Sequence, residues 1–151
     1  MDENEIINGC IKVESAAASI YSKFNQLFPE EQDFWGGLYN DEKEHISFLN
    51  DVKSLGLSDE VQRMNLLPSK PMIKDALKLA DKISKKISNG PVTFKQALSL
   101  SLELEESIVE TYTNKLIASL LSCDNEASFN SFITSGKDHK TQIKKMLQKA
   151  G

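Results

Sequence analysis

From residue 3 to residue 149 the apolar residues of this chain recur three and four positions apart, and no stretch alternates with period two in the manner of a strand. That periodicity restricts the chain to an all-α fold. Ile7, Ile11, Glu14, Ala18, Tyr21 and Phe24 share one face of a helix over about 3–27. Pro29 marks a break, and Phe34, Trp35, Leu38, Glu42, His45, Leu49 and Val52 line a second helix over about 30–55. Gly36 and Gly37 inside it weaken it locally and suggest close helix approach. Residues 56–71, with Gly56, Pro68 and Pro71, form a connection to a shorter helix over about 72–88. After the breaker Asn89-Gly90-Pro91, Thr93 and Gln96 have the spacing of a capping box for a third long helix over about 94–121. Asp124 or Asn125 caps a fourth over about 126–149.

At 151 residues the chain suits one domain, spanning 1–151, with a real core. A net charge of −4 argues against nucleic acid as a partner. No apolar run approaches the roughly 20 residues that span a bilayer. The start Met1-Asp2-Glu3-Asn4-Glu5 lacks the regions of a signal peptide, so a cytoplasmic location is the expectation. Cys10 falls on an apolar helix face and Cys123 at a helix–loop junction, and no Cys-x-x-Cys pair exists to hold a zinc ribbon or rubredoxin-type centre. Lys70, Lys74, Lys78, Lys82 and Lys86 lie four apart along the short helix. A solvated face explains them most simply, with an anionic partner as the alternative.

The chemistry concentrates elsewhere. The chain's two histidines close matched runs, Asp41-Glu42-Lys43-Glu44-His45 and Ser135-Gly136-Lys137-Asp138-His139. Residues three apart share a helix face, so Glu42 and His45 can grip one metal ion, whereas Gly136 leaves His139 alone. The first and third helices echo one another as well. Ile11-Lys12-Val13-Glu14 matches Leu102-Glu103-Leu104-Glu105, and a tyrosine follows each glutamate by seven, Tyr21 and Tyr112. Two helical hairpins joined by a crossover that contains the short helix give a four-helix bundle with carboxylates and imidazoles directed inward. A glutamate buried there without a partner is costly, and metal coordination or pairing with histidine relieves that cost.

On Glu14 with Tyr21, Phe34-Trp35 followed by Glu42-x-x-His45, Glu105 with Tyr112, and His139, the chain resembles the rubrerythrin branch of the ferritin-like family over nearly its whole length. The resemblance implies a bundle holding two irons. Glu14 and His45 would serve one, Glu105 and His139 the other, and Glu42 would bridge them. Tyr21 and Tyr112 would hydrogen-bond the ligand carboxylates. Glu106 is the alternative to Glu105. Peroxide reduction or ferrous iron oxidation, a homodimer and an external electron donor are further implications, since no rubredoxin domain is present.

The family's second bridging carboxylate belongs at position 136, where this chain has glycine. Three carboxylates leave two ferrous ions one positive charge in excess. Asp138 lies two positions on, roughly 200° round a helix, and does not replace it. Three outcomes follow: an altered di-metal site with an open position, for iron or another divalent metal; a single ion at Glu14, Glu42 and His45; or a metal-free bundle serving as a structural or interaction module. Phe34 and Trp35, being adjacent, cannot both face the core, so one lies at a subunit contact or under the crossover.

Overall fold

The first apolar stripe builds a helix whose buried side runs its full length. The computed structural model describes residues 3–63, 65, 67–121 and 139–150. In α1 (Glu3–Leu27) it buries Ile7, Cys10, Val13, Ala17, Ile20, Tyr21 and Phe24. Pro29 opens a 3₁₀ turn, Pro29–Glu31, and α2 (Gln32–Ser54) folds back along α1. Lys53 near the end of α2 reaches Asn8 near the start of α1 at 2.6 Å, so the pair is an antiparallel hairpin. At Gly56 the chain takes φ +69°, the left-handed conformation that glycine adopts without steric cost. Leu57 N–H then bonds the Val52 carbonyl at 3.0 Å and Gly56 N–H that of Lys53 at 3.2 Å, which stops α2 by satisfying its last carbonyls.

The stretch 56–71 is not wholly irregular: it contains α3 (Ser58–Arg63), whose Val61 is fully buried. Six residues are too few to show a period, which is why it left no stripe. α4 (Lys70–Asn89) is the crossover helix. Ser69 caps it by accepting the Met72 N–H at 3.4 Å, and its Ile73, Ala76, Ala80 and Ile83 are buried, with the helix packed on α1. Lys74, Lys78, Lys82 and Lys86 are exposed. Lys70 meets Glu5 at 3.6 Å, a solvent-exposed pair that contributes little.

The capping box at Thr93 and Gln96 forms as expected, with reciprocal bonds of 2.9 and 3.1 Å, and starts α5 (Phe94–Glu105). The single helix expected over 94–121 is in fact two, since α6 (Ile108–Leu121) begins after a break at Glu106-Ser107. There Ser107 N–H turns tightly onto the Leu104 carbonyl at 3.1 Å. Neither proline nor glycine marks this break. α7 (His139–Ala150) packs against α5. The expected start of that helix near 126, with Cys123, Gly136 and Asp138, lies outside the described residues.

Every element among the described residues is helical, and together they form a helical bundle. Its core is layered along the helices. One apolar cluster joins Ile7, Val13, Phe48, Val52, Val61, Ile73 and Leu116. The other joins Ala17, Phe24, Trp35, Leu38, Ile83, Leu98, Leu104 and Ile143. Between them on α1, α2 and α5 lie Glu14, Glu42, His45 and Glu105, each buried. Gly36 and Gly37 do not mediate close helix approach, because a Cβ at either would meet nothing within 4 Å. The tight contact is Gly9, where a Cβ would stand 2.9 Å from Ile73 Cδ1. Trp35 is fully buried while Phe34 is half-buried against its edge. No described helix is long and apolar enough to cross a membrane.

Candidate metal centre

The polar layer exists because helical spacing carries a glutamate or histidine onto the apolar stripe of each contributing helix. Glu14 continues the face of Ile7 and Cys10, and Glu42 and His45 occupy the turn between Leu38 and Leu49. Glu105 is the last residue of α5 and His139 the first of α7. All five are buried, and they converge as two groups that share one member: Glu14, Glu42 and His45, and Glu42, Glu105 and His139. Glu106, the alternative to Glu105, is exposed and faces Met72, Asp75 and Leu79 of α4 instead.

Glu42 sits at the middle. Its Oε2 lies 3.7 Å from His45 Nδ1, and its Oε1 lies 3.4 Å from His139 Nδ1. His45 Nδ1 is also 3.8 Å from Glu14 Oε2, and His139 Nδ1 is 3.2 Å from Glu105 Oε1. The two imidazoles stack with centroids 6.0 Å apart. Metal–ligand bonds of about 2.0–2.2 Å, meeting at angles of about 90–130°, separate donor atoms by about 3–4 Å. These distances therefore accept an ion in each half without large movement.

What surrounds the donors differs. Tyr21 OH donates to Glu105 Oε2 at 2.5 Å, so a tyrosine on the Glu14 helix serves the opposite carboxylate. Tyr112 is half-buried and bonds none of the ligands among the described residues. His139 Nε2–H donates to Asp41 Oδ2 at 2.9 Å and Nδ1–H to Glu105 Oε1 at 3.2 Å; carboxylates only accept, so the metal-free ring carries both protons, and Nδ1 is the nitrogen that faces the layer. Sequence reasoning assigned Asp41 no role. Its one signal was adjacency to Glu42, and a neighbour about 100° round the helix reveals its target only once α7 is in place. By contrast, both oxygens of Glu14, both of Glu42 and Nδ1 of His45 are buried with no hydrogen-bond partner among the described residues.

The charges reflect this crowding. Burial and the charge of Glu42 push Glu14 up to about 7. Burial alone would raise Glu42 as well, but Glu14 and the two imidazoles hold it below the usual carboxylate range. Burial works against a charged imidazole, yet Glu14 and Glu42 outweigh it and hold His45 up to about 10. For His139, Asp41, Glu105 and Glu42 do the same and hold it up to about 12. Cys10 is buried as its helix face suggested, and burial pushes its thiol up to about 12, so it is inert as a nucleophile at neutral pH. Buried carboxylates without hydrogen bonds are costly, and five buried donor atoms with no hydrogen-bond partner among the described residues, grouped within reach of common points, fit a pair of cations. Asp41 brings a fourth carboxylate to the layer without occupying a ligand position, which offsets two divalent ions. No protein-family model, no curated protein and no solved structure matches the chain.

Proposed function

We propose that the polar layer is a di-metal centre, with Glu14 and His45 holding one ion, Glu105 and His139 the other, and Glu42 bridging them, in a ferritin-like bundle of the rubrerythrin type. One observation carries the reading: the two oxygens of Glu42 face two different imidazole nitrogens, each beside its own second glutamate. Iron is the metal that the resemblance implies; a bound ferrous pair would supply the two electrons that reduce peroxide to water, and ferrous oxidation would pass the electrons of the ferrous ions to peroxide or dioxygen. The chain's own residues supply an all-oxygen and nitrogen donor set, a buried layer between two apolar clusters, and Tyr21 and Asp41 to orient ligands. No Cys-x-x-Cys pair lies within these 151 residues, so electrons would come from a donor outside them, and a homodimer is the expected state.

A metal-free module is the competing reading. A buried network kept for structure would hydrogen-bond its members, whereas Glu14, Glu42 and His45 meet here only as ion pairs 3.7–3.8 Å apart, with no hydrogen bond to Glu14, Glu42 or His45 Nδ1 among the described residues. Elemental analysis of protein purified without chelator or nickel decides. About two irons per chain, lost in Glu42→Ala, supports the proposal and leads to assays of ferrous-dependent peroxide consumption. Absence of any metal after anaerobic ferrous loading would falsify it.

A further inference from the structure

The two halves of the layer contain the same kinds of donor in different surroundings. Resting on the di-metal reading above, we infer that they bind unequally: Glu42, Glu105 and His139 hold a resident ion, while Glu14, Glu42 and His45 take a more weakly held, exchangeable divalent cation.

The first support is orientation. Asp41 fixes the ring and tautomer of His139, and Tyr21 fixes Glu105. Partners of this kind each change metal affinity by about 10–100-fold. The other half has neither. No described residue bonds an oxygen of Glu14 or Nδ1 of His45, and no carboxylate among the described residues bonds the far nitrogen of the His45 ring.

Charge is the second support. An ion beside His139 is met by Glu42 and Glu105, with Asp41 directly behind the imidazole. An ion beside His45 is met by Glu14 and Glu42 alone. In a layer of low dielectric the third carboxylate favours the first position. The opposing effect is relief: the unpartnered donors of the Glu14 half give up no contacts when an ion arrives, whereas His139 gives up its contact with Glu105. That loss is offset at once, because both atoms then bind the ion. The orientation by Tyr21 and Asp41 persists through binding and decides the order.

The shared ligand gives the inequality a functional sense. Glu42 is held in place by a resident ion on one side and presents its other oxygen to an arriving cation. The second ion can then leave while the first keeps the layer assembled.

The test is a titration of chelator-stripped protein with cobalt(II), followed by d–d absorption at neutral pH. The expected result is two binding steps at least about 10-fold apart in affinity. His45→Gln removes the weaker step only, and His139→Gln removes the tighter. Asp41→Ala, at a side chain 20% exposed and outside the ligand set, weakens the tighter step by about 10–100-fold and draws the two together. This variant stands in for His139→Gln if the latter does not fold, and circular dichroism verifies the helices. Two steps of equal affinity, a tight step that survives His139→Gln but not His45→Gln, or no effect of Asp41→Ala would each overturn the inference while leaving the di-metal reading intact. Failure to bind cobalt at all would defeat both.

Discussion

The Glu14 half and the Glu105 half of the polar layer differ by what stands behind the ligands. Each has a glutamate, a histidine and a share of Glu42. Behind Glu105 and His139 stand Tyr21 and Asp41; behind Glu14 and His45 no described residue makes a hydrogen bond. A donor set copied in kind is therefore not copied in its surroundings. One half is hydrogen-bonded within the protein, and the other holds ion-pair contacts only among the described residues.

The sharpest way to break the comparison is to make each half apolar in metal-free protein. Glu14→Leu removes a buried carboxylate that makes no hydrogen bond among the described residues and only a long ion pair, 3.8 Å, with His45, and is expected to raise stability in chelator by about 1–3 kcal/mol. Glu105→Leu removes the carboxylate that accepts from Tyr21 OH and lies nearest His139 Nδ1 and is expected to lower it by about 1–3 kcal/mol. Urea unfolding measures both, and changes of the same sign would remove the distinction.

Titration gives a second handle. Both folded-state imidazoles lie above the unfolded value of about 6.5, at about 10 for His45 and about 12 for His139. Between about 6.5 and 10 the metal-free folded state thus holds more protons than the unfolded one, so stability falls as pH rises through that window. Unfolding midpoints at about pH 7 and pH 9.5 should differ in that direction, and His45→Gln should flatten part of the slope. Metal displaces these protons, so the loaded protein should show a shallower dependence.

Tyr21→Phe isolates one hydrogen bond. It should weaken the ion beside Glu105 by about 10-fold and leave the ion beside Glu14 unchanged, while Tyr112→Phe changes neither; cobalt titration reads all three. The smallest effect separates the site from its scaffold. Gly36→Ala and Gly37→Ala fill open space inside α2, and each should stabilise by about 0.5–1 kcal/mol without moving either affinity. A change in affinity would mean that α2 carries strain into Glu42.

Much of the fold was legible because helical periodicity is local. The stripes of α1 and α2, the capping box at Thr93 and the crossover helix emerge with boundaries close to those expected. Two features were not. α3 is too short to have a period, and the break after Glu105 has no breaker residue to announce it. At the site, the five ligand candidates were legible as acids and imidazoles on apolar faces, and the structure brings all five together. Tyr21 was expected to hold a carboxylate and does, though it is the one across the bundle. Tyr112 is half-buried and bonds no ligand candidate among the described residues, since a repeat in sequence does not guarantee the same rotation about a helix that is interrupted at Glu106-Ser107.

The sequence by itself determined the kinds of donor, their helical faces and the all-helical class, because each follows from spacing within one segment. Only the tertiary structure decided that Glu105 rather than Glu106 turns inward, that Glu42 offers one oxygen to each histidine, and that Asp41 hydrogen-bonds His139 while no further carboxylate among the described residues stands behind His45. Those are distances between helices, fixed by how the packed apolar clusters above and below the layer set each helix's rotation and height, and no period along a single segment encodes them.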